Sequence, residues 1–268
     1  MQRHDGFGIT AAPRRGLDRL GEVVESLGYA ELWANDTQAG SGLAALAAAG
    51  VGARKIELCV GVIGLSDHAP AEIAEGVERL DLPVDRLVLG VGSGSSRSLA
   101  LVEEGVADLR QRLPGVRIGV AAVGPRMLRL AGRVADVVLI NWAAPARLAE
   151  SRERVAAGAR QAGRDVPRVA AYVRVAVGDG ATRRLASEVS RYAARGPAYA
   201  RQFAEQGSEL VGVACEDPAL VPAALAPYRA VLDSCVVRGL PAGDEVADWL
   251  TVAAAAAPAD APRATLQL

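Results

Sequence analysis

Short runs of valine, isoleucine and leucine recur along this chain and alternate with longer stretches whose apolar residues repeat at helical period. Continuous apolar runs of roughly four to eight residues predict strands buried on both faces, and the stretches between them predict helices. The strands fall at 6–10, 30–35, 56–63, 86–91, 116–122, 136–141, 169–177 and 232–238. The helices fall at 14–27, 40–53, 70–81, 97–112, 125–134, 145–162, 181–206 and 218–230, with a last one near 243–256. Eight alternating βα units predict a closed (β/α)8 TIM barrel of the α/β class, with LVGVA at 210–214 a rival for the eighth strand. One barrel domain is expected over 1–256, followed by a disordered Ala/Pro-rich tail at 257–268.

Composition narrows the partners. With 268 residues, 51% hydrophobic and 23% charged, the chain can bury a large core, and it has no apolar run near the ~18 residues that a membrane helix needs. A net charge of -1 gives no reason to expect nucleic acid or an anionic membrane surface. Cys59, Cys215 and Cys235 are odd in number, widely spaced and without a CxxC or a neighbouring histidine, so they read as buried free thiols in a reducing compartment, not as metal ligands. MQRHDGFGIT lacks the basic and apolar regions of a secretory signal, and cytoplasm is the expected location.

In a barrel of this kind chemistry sits at the C-terminal ends of the strands, which directs attention to the residues just after each apolar run. WANDT ends strand 2 and offers Asp36 as an acid/base or orienting group, or as the cap of the next turn. GVGSGSS at 90–96 places Gly92, Ser93 and Gly94 where backbone N–H groups could meet a phosphate or a ring edge, though Ser95 breaks the dinucleotide fingerprint and a plain turn is an equal reading. The physics is sharper at Gly124-Pro125-Arg126. Proline suits the first helical position, and the glycine before it lets the backbone approach a ligand. The free N–H groups of Arg126 and Met127, the helix dipole and the Arg126 guanidinium would then converge on an anion. Arg133 lies roughly 10 Å further along the axis and faces solvent in this reading, while Met127, Leu130, Ala131 and Val134 form the buried stripe. Asn141-Trp142 could wall a cofactor ring or pack under a loop, and His68 reads as a loop histidine.

Several stretches together resemble the bacterial-luciferase-like superfamily of flavin- and deazaflavin-dependent oxidoreductases: LGYAELWAND (27–36), ARKIELCVGV (53–62), APAEIAEGVERLD (69–81), RLVLGVGSG (86–94), VGPRMLRLAGRVADVVLINW (123–142), AAYVRVAV (170–177) and LDSCVVRGL (232–240). The resemblance implies a (β/α)8 barrel, often dimeric, that binds coenzyme F420 or FMN at the strand C-termini. It implies hydride transfer between F420 and a small organic substrate; the alternatives are an FMN-dependent monooxygenase and a non-catalytic cofactor-binding relative. Carried over by position, Gly124, Arg126 and Met127 would meet the cofactor phosphate. Gly61, Val62, Ile63, Gly92, Ser93, Gly94 and Asn141 would line the ring, and Asp36 takes the acidic place of the family's Asp-His pair. Thr37 stands where many members carry that histidine, and Ala69-Pro70 replaces a frequent His-Pro. Only about 20 residues separate strands 4 and 5, where relatives usually hold a long inserted lid, so the lid of this chain is expected to be short and its pocket more open to water.

Overall fold

A computed structural model describes residues 4–11, 15–37, 40–206 and 211–259. The apolar runs become parallel strands: β1 (His4–Thr10), β2 (Glu31–Asn35), β3 (Glu57–Gly64), β4 (Leu87–Gly92), β5 (Arg117–Ala121), β6 (Val137–Asn141), β7 (Arg168–Val177), β8 (Val213–Cys215) and β9 (Ser234–Gly239). Each of β1 to β7 pairs with the next, β7 pairs with β9, and β9 returns to β1. Eight strands therefore close a barrel. The run at 232–238 supplies the closing strand, whereas its rival contributes only β8, a short strand laid on the last residues of β7.

The helices follow the apolar period: α1 (Leu17–Ser26), α2 (Gly42–Gly50), α3 (Pro70–Arg79), α4 (Leu99–Arg112), α5 (Pro125–Val134), α6 (Pro145–Gln161), α7 (Ala181–Ala193), α8 (Pro197–Glu205), α9 (Val221–Val231) and α10 (Val246–Ala255). The single helix expected over 181–206 is two, α7 and α8. Gly196 at φ 143 and Pro197 explain the break, because proline has no N–H to donate and disfavours a helical residue before it. The buried stripe of α5 also differs from expectation. Leu128, Leu130, Ala131 and Gly132 are buried, and Met127 and Val134 only partly so. The cause is α6: Gly132 lies against the Val155 carbonyl and Gly158 against that of Arg129, so closely that a Cβ on either would collide. Part of the expected tail, 260–268, lies outside the described residues.

Between β4 and β5 there is only a turn and α4, consistent with the short lid. Cover over the rim comes from elsewhere. The Gln202 side chain donates to the carbonyls of Asn141 (2.9 Å) and Trp142 (2.8 Å), and Ala144 N–H donates to Gln206 (2.6 Å), so α8 folds over the end of β6.

Inside the barrel the two-residue alternation of the strands stacks side chains in layers. The floor holds Glu31, Glu57, Arg117, Arg168 and Ser234. Glu31 is fully buried; it accepts from the Trp33 indole and Ser234 hydroxyl (2.6 Å each) and lies 3.2 Å from Arg168. Glu57 is bonded to both Arg168 (2.5 Å) and Arg117. Two acids meet two arginines, so the floor is neutral. Trp33, Cys59, Leu139, Tyr172 and Val236 fill the apolar layer above it.

Candidate active site

The top layer of the barrel is built from Asn35, Asn141, Arg174 and Arg238, around the backbone of Gly61. Asn35 Nδ2 and the Tyr172 hydroxyl both donate to the Gly61 carbonyl, at 2.8 and 3.3 Å. Arg238 Nε donates to Asn35 Oδ1 at 2.9 Å and another of its nitrogens to the Gly239 carbonyl at 3.0 Å. Arg174 donates to Asn141 Oδ1, and its guanidinium lies 4.1 Å from the Trp142 ring centre and 5.1 Å from that of Tyr192. Trp142 reaches this place through a left-handed backbone, φ 58, rare for a bulky residue, with its carbonyl held by Gln202 and Gln206. It is buried under α7 and α8 against Phe203, so the indole packs beneath a covering segment and does not wall a ring from the open side.

Arg174 and Arg238 face each other across the β7–β9 ladder as direct register partners. They are 2% and 6% exposed, and neither bonds to a carboxylate among the described residues. The acid whose charge reaches both, Glu188 on α7, is already paired with Arg191 at 2.5 Å. Burial depresses the basicity of both guanidinium groups, and the neighbouring charge of Arg174 adds to this at Arg238, which is pushed down to about 10. Withdrawing a guanidinium from water costs several kcal/mol, whereas a desolvated cation–π contact returns only about 2 kcal/mol. Adjacent like charges on one face of a sheet oppose folding further. Arg174 Nε is moreover buried with no hydrogen-bond partner. Beside this layer a cavity of about 540 Å³ opens between Thr10, Arg238, Leu240, Trp249 and the α7 side chains Arg184 and Glu188.

The next stretch of rim is made by β3 and β4. The β3–β4 ladder shifts register between Val60 and Ile63, which turns the Gly61–Val62–Ile63 backbone into a bulge with Val62 half-exposed. Glycine is required at Gly61, where a Cβ would collide with the Tyr172 hydroxyl and come within 2.9 Å of Leu139. In the Gly92-Ser93-Gly94 turn the glycines also have a packing reason. Gly94 is left-handed at φ 60 and lies against Ser66, whose hydroxyl accepts from Ser95 N–H at 3.1 Å. Leu65 N–H donates to the Gly92 carbonyl at 2.9 Å. The loops after β3 and β4 are thus latched to each other.

At the end of β5 the surroundings change. Gly124 precedes α5 without a side-chain cap, and a Cβ built there would have nothing within 4 Å. Pro125 opens the helix, and the N–H groups of Arg126 and Met127 have no intrahelical acceptor by position. Arg126 is exposed and has no ion pair among the described residues, whereas Arg133 is tied to Glu103 at 3.1 Å. The three arginines of α5 therefore separate as the helix geometry requires, with Arg129 exposed between them.

At the end of β2, Asp36 Oδ1 accepts from Gly42 N–H at 2.8 Å while its other oxygen lies 3.8 Å from His68 Nε2. The carboxylate is 18% and the imidazole 49% exposed. Thr37 is exposed, its hydroxyl 3.5 Å from the Gly40 carbonyl. An imidazole does stand beside Asp36, but it comes from the loop after β3 and not from the following residue. The residues read from the sequence lie along one arc of the rim, from β2 to β6. Arg174 and Arg238, which complete the other arc, were given no role there, although Arg238-Gly239 does end an apolar run. Their signal is an arginine inside an unbroken apolar run, in YVRVAV and CVVRG, where both faces of the strand are buried. Asn141 was among them, and its amide is committed to Arg174. No group of His, Cys, Asp and Glu suited to a metal ion occurs among the described residues.

A family model described as luciferase-like monooxygenase matches residues 1–117 and 104–259. The 5,10-methylenetetrahydromethanopterin reductase of Methanolobus tindarius is 27% identical over 207 residues; the match covers 62% of this chain and 64% of that protein, so the chain spans under two thirds of its length. Among solved structures, the coenzyme F420 dependent tetrahydromethanopterin reductase of Methanopyrus kandleri superposes with a TM-score of 0.74 at 18% identity, covering 94% of this chain and 98% of the other. An F420-dependent secondary alcohol dehydrogenase in complex with an F420-acetone adduct superposes with a TM-score of 0.75 at 16% identity, over 94% and 97%. At these identities the two structures speak for the fold alone.

Proposed function

This chain belongs to the luciferase-like monooxygenase family, and from that premise we propose that it is an oxidoreductase moving a hydride between coenzyme F420 and a small organic substrate. The observation that carries the reading is the start of α5, an open helix end with an Arg126 that has no ion pair among the described residues and with empty space where a side chain on Gly124 would be. A phosphate fits that chemistry, and the named relatives are F420-dependent or reduce a pterin. The coenzyme, when bound, supplies the hydride chemistry itself.

The residues of the chain do the remaining work. Arg126 and the N–H groups of Arg126 and Met127 hold the phosphate beside Gly124. The bulge Gly61–Val62–Ile63 and the turn Gly92-Ser93-Gly94 border the ring, and Asn35 and Tyr172 keep the Gly61 carbonyl turned inward. Asp36 and His68 hold or release a proton at the substrate, with Thr37 lining the approach. Helix α8 shields the β6 side from water in place of a lid between β4 and β5.

The test is a parallel titration of the purified protein with F420 and FMN, followed by absorbance and fluorescence, and repeated on Arg126→Ala. Saturable F420 binding that weakens in the variant is expected. Absence of any F420 response rules the reading out, and tight binding of FMN with oxygen consumption would instead favour an FMN-dependent monooxygenase, the activity in the family's own name. If no substrate is turned over although F420 binds, the non-catalytic alternative applies. A cytoplasmic homodimer belongs to the same proposal. The three free cysteines support the reducing compartment, and sedimentation equilibrium checks the dimer.

A further inference from the structure

We propose that Arg174 and Arg238 form an anion-binding subsite, and that the substrate of this protein carries a carboxylate or phosphate group which that subsite holds. The inference rests on the oxidoreductase reading only in calling the ligand a substrate.

The barrel carries its own control. Its floor holds two arginines, Arg117 and Arg168, that are only partly buried, and even so the same layer provides two glutamates to meet them. Its top layer buries two arginines side by side and provides only the amides of Asn35 and Asn141, the Gly239 carbonyl and aromatic faces, and no acid. Asp36, one residue beyond Asn35, is engaged with Gly42 and His68 instead. A fold that neutralises charge at one end of a barrel and leaves it uncompensated at the other has a use for the charge at that end. The uncompensated end is the C-terminal one, where barrel enzymes place their ligands. Arg238 reaches the cavity of about 540 Å³, so an anion has an entry, and Arg174 Nε has a buried N–H still without an acceptor.

The position distinguishes this anion from the coenzyme phosphate. In the cyclic order of the eight closing strands β7 stands opposite β3. A ring seated against the β3–β4 bulge, with its phosphate at the start of α5, leaves the β7–β9 wall facing it across the mouth. A third group, lying between the ring and that wall, is what two guanidinium groups there would hold.

Thermal unfolding of the full chain with inorganic phosphate as the probe tests this at constant ionic strength, with chloride as the control. Arg126→Ala serves as the background, so that phosphate at the start of α5 does not contribute. In that background the midpoint should rise by roughly 5–10 °C at phosphate about 100-fold above its Kd. Adding Arg238→Met should abolish the rise while leaving the phosphate-free midpoint equal or higher, because a repulsive buried charge has gone. A merely structural Arg238 would give the reverse, a lower midpoint. Arg174→Gln is the second variant should Arg238→Met not fold. No phosphate-specific rise in the Arg126→Ala background, or a rise that survives both substitutions, overturns the proposal. Titration of Arg238→Met with F420 separates the sources of the anion. Unchanged F420 affinity assigns the subsite to substrate, while a large loss assigns it to the coenzyme and overturns the substrate claim. If F420 fails to bind even the wild-type protein but the phosphate result holds, the oxidoreductase reading falls and the anion site stands.

Discussion

Substituting Gly124 by alanine separates a glycine kept for a ligand from one kept for packing. Its φ of -92 and ψ of 160 are ordinary for any residue, and a methyl there would touch nothing within 4 Å. Two small effects on stability then oppose each other. Alanine restricts the unfolded chain and stabilises by about 0.4–1 kcal/mol, while at an N-cap it is a poorer residue than glycine by a comparable fraction of a kcal/mol. The expected net change lies within about 0.5 kcal/mol of zero, measured by urea unfolding. Cofactor affinity should behave differently, because the methyl would occupy the space into which a phosphate must come to meet two backbone N–H groups. Charge-assisted hydrogen bonds contribute roughly 1.5–3 kcal/mol each, so the loss of even one weakens F420 binding by at least about tenfold. Gly61→Ala is the contrast: its methyl would collide with Tyr172, and overpacking of that kind costs about 1–3 kcal/mol of stability. If Gly124→Ala binds F420 as tightly as the wild type, the phosphate does not approach the start of α5 and the assignment fails.

His68→Asn should lower kcat by about 100-fold or more while leaving F420 affinity nearly unchanged, since the imidazole stands beside Asp36 and away from the phosphate seat; an unaffected kcat would remove His68 from proton transfer. Glu57 offers a pH test in the floor. Burial raises the pKa of its carboxyl, but bonds to Arg168 and Arg117 outweigh this and leave it below the ordinary value. A folded pKa below the unfolded one of about 4.3 means stability that is present above that pH and lost as pH falls through the folded pKa. Glu57→Gln should therefore flatten the acid limb of a stability-against-pH curve, and an unchanged limb would show that the floor network does not govern acid unfolding. Native-state titration with a thiol reagent should modify Cys215 alone and slowly, because Cys59 and Cys235 are buried and burial pushes all three thiols up, Cys235 to about 12. Rapid modification of all three before unfolding would contradict the packing of the barrel.

The barrel was legible because its strands are apolar on both faces, and a run such as LVLGVG or VVLIN has no other stable place than between two layers. The division of 181–206 was legible too, in Gly196-Pro197, but helical period on both sides outweighs a break that lasts three residues. The face of α5 was harder. Its period allows several neighbouring stripes, and the choice among them is made by the close approach of Gly132 and Gly158 to backbone carbonyls across the α5–α6 contact, a fact about two helices that neither contains alone.

The site divides along the same line. Residues at the ends of strands can be found by position, because the fold decides that rim residues of β2 to β6 share one end. What they touch is decided by register. Thr37 follows Asp36 in the chain, yet the imidazole beside Asp36 arrives from 32 residues further on, since the loop after β3 passes the end of β2. Arg174 and Arg238 are 64 residues apart and become neighbours only because β7 and β9 pair in that register. Each arginine alone, in a buried strand, reads as one awkward residue that an acid elsewhere would satisfy, as Glu57 satisfies Arg117. Only the closed barrel brings the two onto one face with no acid between them, and that turns two oddities of sequence into a single charge that a ligand has to complete.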